Sequence, residues 1–222
     1  MANTFIDPAY GNSLNQKFRA KRFEFFLSLL ARIRSDRPIR ILDIGGTETY
    51  WDRMSSVENL DLRITLLNLE AFPTKRTNFT SVIGDACDLS AYQDNEFDVV
   101  FSNSVIEHLF TRENQQKMAN EAMRVGKYYY IQTPNLYFPM EPHWMFPFFQ
   151  FLPFRLRVFL TRNFDLGHYV KAANEEDAVT RVKEVQLLTE RNMKDLFPDG
   201  LVYREMFLGL VKSITLYRFP EK

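Results

Sequence analysis

The strongest constraint on the fold of this 222-residue chain is a series of short, almost continuously apolar segments. They are RILDI at 40–44, RITLLNL at 63–69, TSVIGD at 80–85, FDVVFSN at 97–103 and KYYYIQT at 127–133. Each has the length of a β-strand, and helical patterns lie between and around them. Buried strands that alternate with helices predict an α/β protein whose parallel sheet is covered on both faces.

The helical segments carry recognisable start and stop signals. Asn12 or Ser13 caps a first predicted helix that runs to about residue 35 and is closed by Pro38. A short helix is predicted through 51–54, and Thr111 caps the helix that follows the fourth strand. The segment 174–197 is predicted as helical, with Thr189 as a cap. The last two apolar runs, LVYREMF and SITLYRF, are close enough to predict an antiparallel pair.

Charge and cysteine content limit the class of partner. The 28 basic and 28 acidic residues balance, whereas a nucleic-acid-binding surface needs an excess of basic residues. Cys87 is the single cysteine, so no disulfide can form within the chain, which suits a reducing compartment. Neither a signal peptide nor an apolar run of about 20 residues is evident. We therefore expect a cytoplasmic protein that does not bind nucleic acid.

A glycine turn follows the first predicted strand. In ILDIGGT at 41–47 the strand ends in Asp43, and the chain then turns on Gly45 and Gly46. Glycine lets the backbone adopt positive φ and approach a ligand closely. Ligands of open α/β sheets lie at the carboxyl ends of the strands. Alone, such a turn is a weak signal, because it often reflects only tight packing of a strand against a helix.

Together, RILDIGG and GDACDLSAYQDNEFDVVFSNSVIEHL resemble the class I S-adenosylmethionine-dependent methyltransferases of the small-molecule type, over roughly residues 38–135. The resemblance implies a Rossmann-like three-layer sandwich, in which a seven-stranded, mostly parallel sheet has an antiparallel last strand. We expect a single domain with a helical cap at 1–37, a cofactor-binding core at 38–133, an aromatic acceptor-side insertion at 134–170, and C-terminal helices and a strand pair at 171–222. S-adenosylmethionine is the implied cofactor.

The resemblance also assigns cofactor contacts to residues at the strand ends. They are Asp43, Gly45, Gly46, Thr47, Asn68, Glu70, Asp85, Ala86, Asn103 and Ser104. Asp43 and the turn after it would hold the aminoacyl end, and Asn68 stands at the usual ribose position. Asp85 would contact the adenine amino group. Asn103 and Ser104 match the turn below the sulfonium.

Two departures from the family pattern leave an alternative open. The family usually has glycine where this chain has Thr47 and Thr49, and an acidic residue in place of Asn68. A neutral hydrogen bond from Asn68 would be weaker than a charge-assisted one. The alternative is a vestigial cofactor-binding or interaction domain without transferase activity. An NAD-dependent enzyme is disfavoured, because only two adjacent glycines of G-x-G-x-x-G are present.

His108 and His143 are the candidate catalytic residues. Either one has the chemistry of a general base that removes a proton from the acceptor, although His108 also suits simple helix packing. SNSVIEHL at 102–109 resembles a degenerate form of a metal-binding E-x-x-E-H motif of some relatives, with Ser104 in place of the first glutamate. Because that carboxylate is missing, we expect no bound metal.

The segment after the fifth strand is unusually aromatic. NLYFPMEPHWMFPFFQFLPFRLRVFL at 135–160 concentrates phenylalanine, tryptophan and methionine among several prolines. In the family this stretch commonly builds the acceptor pocket, which here predicts a small-molecule or lipid-like acceptor. Two other interpretations stay open: a satellite core beneath a long insertion, and a membrane-surface contact beside Arg155 and Arg157. Oligomeric state is not predicted.

Overall fold

Seven strands form one sheet in the computed structural model, which describes residues 13–53 and 60–221. The strands are β1 Ile39–Ile44, β2 Leu62–Asn68, β3 Phe79–Ile83, β4 Phe97–Asn103, β5 Gly126–Pro134, β8 Leu201–Phe207 and β9 Leu210–Arg218. Their order is β3-β2-β1-β4-β5-β9-β8. Strands β1 to β5 are parallel, and β9 is antiparallel to both β5 and β8. The predicted sheet and its antiparallel last strand are confirmed.

Helices cover both faces of this sheet. They are α1 Ser13–Leu30, α2 Glu48–Asp52, α3 Arg112–Val125, α4 Phe154–Asn163, α5 Glu175–Glu184 and α6 Glu190–Leu196. Thr111 and Thr189 cap α3 and α6 through their side-chain oxygens, as the sequence predicts. The other predicted cap, Asn12, and the predicted end of the second helix at Met54 lie outside the described residues.

Two hydrophobic cores hold the sheet between a layer of helices on each of its faces. On one face Phe26 and Leu29 of α1 pack with Trp51 of α2 against strand residues such as Phe101. On the other face α3 and α6 pack together over the opposite side of the same strands. Because β1 and β4 are buried on both faces over most of their length, their sequences are largely apolar rather than alternating.

Two helix boundaries differ from the sequence prediction. Helix α1 ends at Leu30 instead of near residue 35, because the amides of Arg32 and Ile33 bond carbonyls three residues back in a tighter turn. The predicted helix 174–197 is two helices. The chain between them is extended, where the Gln186 amide donates to Glu107 O and Leu188 O accepts from the Leu136 amide. These long-range bonds outweigh the local helical pattern.

The aromatic segment contains more regular structure than its prolines suggest. Strands β6 Met140–Glu141 and β7 Phe146–Pro147 form a small antiparallel hairpin, and α4 follows it. Trp144 and Phe149 are buried with residues of α4 and α5 in a third hydrophobic cluster. This cluster is separate from the two cores of the main sheet and lies beyond the carboxyl end of β5.

Candidate functional site

The turn after β1 requires glycine at two positions and no more. Gly45 has φ +75°, and a side chain there would overlap Val105. At Gly46 a Cβ would overlap the carboxylate of Asp43. Thr47 has φ −131°, an extended conformation that any residue adopts, and its hydroxyl accepts a bond from the Tyr50 amide at 3.3 Å. The missing glycine at Thr47 therefore leaves the turn unchanged, and the threonine caps α2.

Asp43 lies beneath this turn and is shielded from solvent. Its side chain is buried, and Oδ2 accepts a hydrogen bond of 2.7 Å from the indole nitrogen of Trp51. Burial raises the Asp43 pKa to about 7, and the bond from Trp51 only partly opposes that effect. Asp43 is therefore placed to fix the position of Gly46 and Trp51.

A cavity of about 530 Å³ opens at the carboxyl ends of β1, β2 and β3. Among the residues that line it are Gly45, Asn68, Glu70, Asp85, Ala86, Cys87, Val105 and His108. Its volume lies in the range typical of small-molecule sites. The structure thus gathers half of the predicted cofactor contacts around one space, which we call the donor cavity.

Two polar side chains in the donor cavity are held by the backbone. Asn68 Nδ2 donates to Gly46 O at 2.9 Å, so the amide braces the glycine turn in a way that a carboxylate could not. Asp85 Oδ1 accepts from the Cys87 amide at 2.8 Å within its own turn. Burial raises the pKa of the Cys87 thiol to about 11, which keeps that side chain neutral.

The remaining predicted contacts lie outside the donor cavity. Asp43 and Gly46 are beneath the turn, whereas Thr47 and Asn103 line a different cavity of about 530 Å³ beside α2. Ser104 has a left-handed φ of 59° and donates from Oγ to Gln132 Oε1 at 3.0 Å. A non-glycine residue held in this conformation costs free energy and often marks a functional site.

Ser104 lines a third cavity, of about 340 Å³, which we call the acceptor cavity. Its walls are largely apolar and include Phe18, Phe138, Met140, Met145 and Phe207. Because Ser104 lines the acceptor cavity and Val105 lines the donor cavity, the two spaces lie on either side of consecutive residues at the end of β4. This placement suits a group transfer from one space to the other.

The acceptor cavity also contains charged residues that the sequence analysis missed. Arg22 comes from α1, Glu205 from β8 and Lys212 from β9, so no local motif joins them. Arg22 Nη1 lies 2.7 Å from Glu205 Oε2, and Lys212 Nζ lies 3.5 Å from Glu205 Oε1. These three residues are far apart in the sequence and follow no periodic pattern, so the sequence contains no signal that predicts the cluster.

The two candidate histidines meet at the edge of the donor cavity. His108 Nε2 and His143 Nε2 are 3.1 Å apart. Each ring is backed by a carboxylate on its other nitrogen: Glu184 lies 3.2 Å from His108 Nδ1, and Glu141 lies 2.6 Å from His143 Nδ1. Burial lowers the pKa of His143, but the facing Glu141 outweighs it, so the net shift is upward.

Glu107 completes this cluster. It is fully buried, and Oε2 accepts from Thr133 Oγ1 at 2.9 Å. Among the described residues, Glu107 Oε1 has no hydrogen-bond partner. One potential ligand atom from each of Glu107, His108 and His143 lies within 4.8 Å of the other two. The structure thus brings His143 together with Glu107 and His108, the two residues left by the degenerate E-x-x-E-H pattern.

The aromatic residues of 135–160 divide between three environments. Trp144 and Phe149 are in the third hydrophobic cluster, and Phe138 with Met145 lines the acceptor cavity. A further set is exposed to solvent: Phe148, Phe151, Phe154, Leu156 and Phe159. The pocket and satellite-core interpretations each describe part of the segment. A membrane-surface contact, which would depend on the exposed set, stays a prediction. No helix among the described residues has the length and hydrophobicity needed to cross a bilayer.

Comparisons with known proteins agree with this geometry. Residues 45–128 match the family model described as a methyltransferase domain. None of the curated proteins matches the chain. Among solved structures, a SAM-dependent methyltransferase from Aquifex aeolicus is 12% identical with a TM-score of 0.52, over 91% of both chains. The CurJ carbon methyltransferase is 11% identical with a TM-score of 0.56, over 93% of this chain and 55% of its own.

A third solved structure is a phosphoethanolamine N-methyltransferase from Haemonchus contortus, in complex with phosphomonomethylethanolamine and S-adenosylhomocysteine. It is 15% identical with a TM-score of 0.50, over 82% of this chain and 39% of its own. At these identities the structures share the fold, and the family model covers the glycine turn and strand ends. The fold and this region define a methyltransferase domain. Residues 45–128 thus match a methyltransferase domain, within a fold that the chain shares with solved S-adenosylmethionine-dependent methyltransferases.

Proposed function

We propose that this protein transfers a methyl group to a small, largely apolar molecule bound in the acceptor cavity. The observation that carries the proposal is the position of the donor and acceptor cavities on either side of Ser104 and Val105. A volume of about 340 Å³ limits the acceptor to the small end of typical ligands. Its aromatic and methionine walls favour an apolar body and exclude water from the reaction.

The donor cavity has features that suit S-adenosylmethionine. Gly45 and Gly46 keep side chains away from the turn, and Asp85 with Ala86 forms the opposite wall. We propose that these groups and Asn68 hold the cofactor, whose sulfonium supplies an electrophilic methyl group. Asn68 already donates to Gly46 O, which leaves its side-chain carbonyl to accept from a ribose hydroxyl.

His108 is the proposed proton acceptor, and His143 is the residue that positions it. His108 lines the donor cavity, and His143 Nε2 reaches it at 3.1 Å. Glu141 and Glu184 fix the two rings from behind, as carboxylates do in other proton-transfer sites. We propose that His108 takes the proton at Nε2, in place of its contact with His143 Nε2, while the Glu184 carboxylate on Nδ1 stabilises the resulting imidazolium.

Replacement of each histidine tests this role. For His108→Gln and His143→Gln we expect kcat to fall about a hundredfold, the usual lower range for loss of a general base, with unchanged affinity for S-adenosylhomocysteine. Lys194→Met is the control, since Lys194 is exposed on α6, pairs with Glu190 and lines neither cavity. Unchanged turnover in both the His108 and the His143 variant would show that Glu107 and His108 serve only packing.

Binding of S-adenosylhomocysteine, measured by isothermal titration with NAD as the control, tests the cofactor site. Micromolar affinity for the first and none for the second supports an active transferase. Absence of both would favour the vestigial or interaction domain. A cytoplasmic location remains our proposal, and it rests on the single cysteine, which suits a reducing compartment.

A metal-assisted form of the same transfer is the second candidate. The observation in its favour is the group of Glu107, His108 and His143, whose ligand atoms lie within 4.8 Å of one another. Two nitrogens and one carboxylate oxygen suit a divalent transition metal. Carboxylates behind both rings are the usual partners of metal-bound histidines.

Cobalt(II) provides a readout that does not depend on turnover. If an ion binds, a visible ligand-field band should appear on titration and should be lost in Glu107→Gln, which keeps an acceptor for the Thr133 hydroxyl. If activity survives treatment with a chelator and no band appears, His108 and His143 act without a bound ion.

A further inference from the structure

The acceptor cavity contains more positive than negative charge. Among the described residues that line it, Arg22 and Lys212 face the single carboxylate of Glu205. His168 also lines it, and burial lowers the pKa of His168, which favours the neutral ring. One carboxylate cannot fully compensate both cations, and a buried charge without compensation is costly. The described part of the cavity is therefore short of negative charge.

The contacts of Glu205 show where the deficit lies. Glu205 is almost fully buried and bonds Arg22 Nη1 at 2.7 Å, but Lys212 Nζ is 3.5 Å from its second oxygen. That oxygen, Glu205 Oε1, makes no hydrogen bond within the described residues. Lys212 instead lies with its ammonium 4.1 Å from the centre of the Phe18 ring. The ammonium thus has weak partners on both sides.

Unused donors lie around the same place. Arg22 Nε is buried and has no hydrogen-bond partner among the described residues, and neither has Ser213 Oγ. Ser213 is buried and lines the cavity beside Lys212. Burial lowers the Lys212 pKa against the opposing attraction of Glu205, so the ammonium is incompletely stabilised. A guanidinium, an ammonium and a hydroxyl around an apolar space are the donors that bind oxyanions.

We propose that the methyl acceptor carries an anionic group, a carboxylate or a phosphate ester, that binds to Arg22, Lys212 and Ser213. This inference rests on the proposed function, because it names the substrate class of the same cavity. Ser104 lines the cavity next to the donor side, so the methylated atom lies towards Ser104 and the anion at the α1 and β9 wall. The apolar side chains contact the body of the molecule between these ends.

Matched acid and amide probes test the proposal. The probes are 3-(4-hydroxyphenyl)propanoate, its primary amide, and 4-hydroxyphenyl phosphate, titrated into the full chain with and without S-adenosylhomocysteine. We expect at least one anion to bind about tenfold more tightly than the amide, a preference worth about 1.4 kcal/mol. Comparison of the two anions distinguishes a carboxylate site from a phosphate site.

Two substitutions should shift the anion affinity in opposite directions. Lys212→Met keeps the apolar stem and should reduce the preference for the anion to about threefold or less. Glu205→Gln removes the competing carboxylate and should strengthen anion binding several-fold, with little effect on the amide. Lys117→Met is the control, since Lys117 is exposed on α3 and pairs with Glu113.

Equal binding of acid and amide, weaker anion binding in Glu205→Gln, or no binding of any anion at millimolar concentration would each overturn the proposal. Circular dichroism establishes that each variant is folded. The anion titration without cofactor is independent of the donor cavity. Loss of S-adenosylhomocysteine binding would therefore contradict the proposed transferase, while an acid preference would still establish the anion site.

Discussion

Asp43 combines two properties that oppose each other. It is the polar residue at the end of β1 that the sequence assigns to the cofactor, and it is buried with a hydrogen bond from Trp51. Its folded-state pKa of about 7 is above the usual value of 3.8 for an aspartate side chain. The ionised form is therefore destabilised by folding, so stability is greatest below pH 4 for this group and decreases as pH rises towards 7.

Asp43→Asn should remove this pH dependence. The variant should be more stable than the original protein at pH 8, by up to roughly 4 kcal/mol for about three pKa units. The gain should shrink as pH falls from 7 towards 4, because Asp43 then becomes neutral. Urea unfolding across this pH range provides the measurement.

Asp94→Asn is a suitable control for that series. Asp94 is largely exposed and pairs with Arg124 at 3.0 Å, so its replacement should change stability by less than about 0.5 kcal/mol. Parallel profiles for the original protein and Asp43→Asn would contradict the burial argument. They would indicate that Asp43 keeps a partner or water that stabilises its charge.

Sequence reasoning found the residues of the site better than their environments. The strand ends identified Asn68 and Asp85, which do lie together at one cavity. The same reasoning could not show that Thr47 and Asn103 lie apart from Asn68 and Asp85. The turn geometry places both of them at a different cavity beside α2. Burial of Asp43 also required knowledge of Trp51, whose side chain reaches back over the turn.

At the scale of elements, strands were predictable and helix ends were not. The apolar runs identified β1, β2, β4 and β5 within a residue or two, because strands buried on both faces have no competing pattern. The break between α5 and α6 depends on two long-range hydrogen bonds, one that the Gln186 amide donates to Glu107 O and one that Leu188 O accepts from the Leu136 amide. No local pattern contains that information.

Helix α6 offers a test of a correctly predicted cap. Thr189 Oγ1 accepts from the Asn192 amide at 3.1 Å, while Asn192 Oδ1 accepts from the Thr189 amide at the same distance. Thr189→Ala removes half of this reciprocal arrangement and should cost about 1 kcal/mol of unfolding free energy. Denaturant unfolding gives the value.

Thr189→Ser is the matched variant, because it keeps the hydroxyl and loses only a methyl group. It should retain most of the stability that Thr189→Ala loses. If both variants lose the same amount, the contribution of Thr189 comes from packing against the C-terminal strands, and the cap contributes little.

At the scale of the whole molecule, charge predicts behaviour towards nucleic acid. Equal numbers of acidic and basic residues leave no net attraction to a phosphate backbone. We expect a labelled RNA or DNA oligonucleotide to show no anisotropy change with micromolar protein at physiological salt. A strong signal that decreases steeply with salt would contradict this, and would indicate a basic surface beyond the acceptor cavity.

The separation of the two cavities has a kinetic consequence. Within 13–53 and 60–221, no residue lines both the donor and the acceptor cavity, although Ser104 and Val105 are consecutive. Neither substrate therefore builds the other's binding surface, and neither must leave before the other can enter. Initial-rate measurements should follow a random sequential scheme, in which the demethylated cofactor and an unreacted acceptor form a dead-end ternary complex.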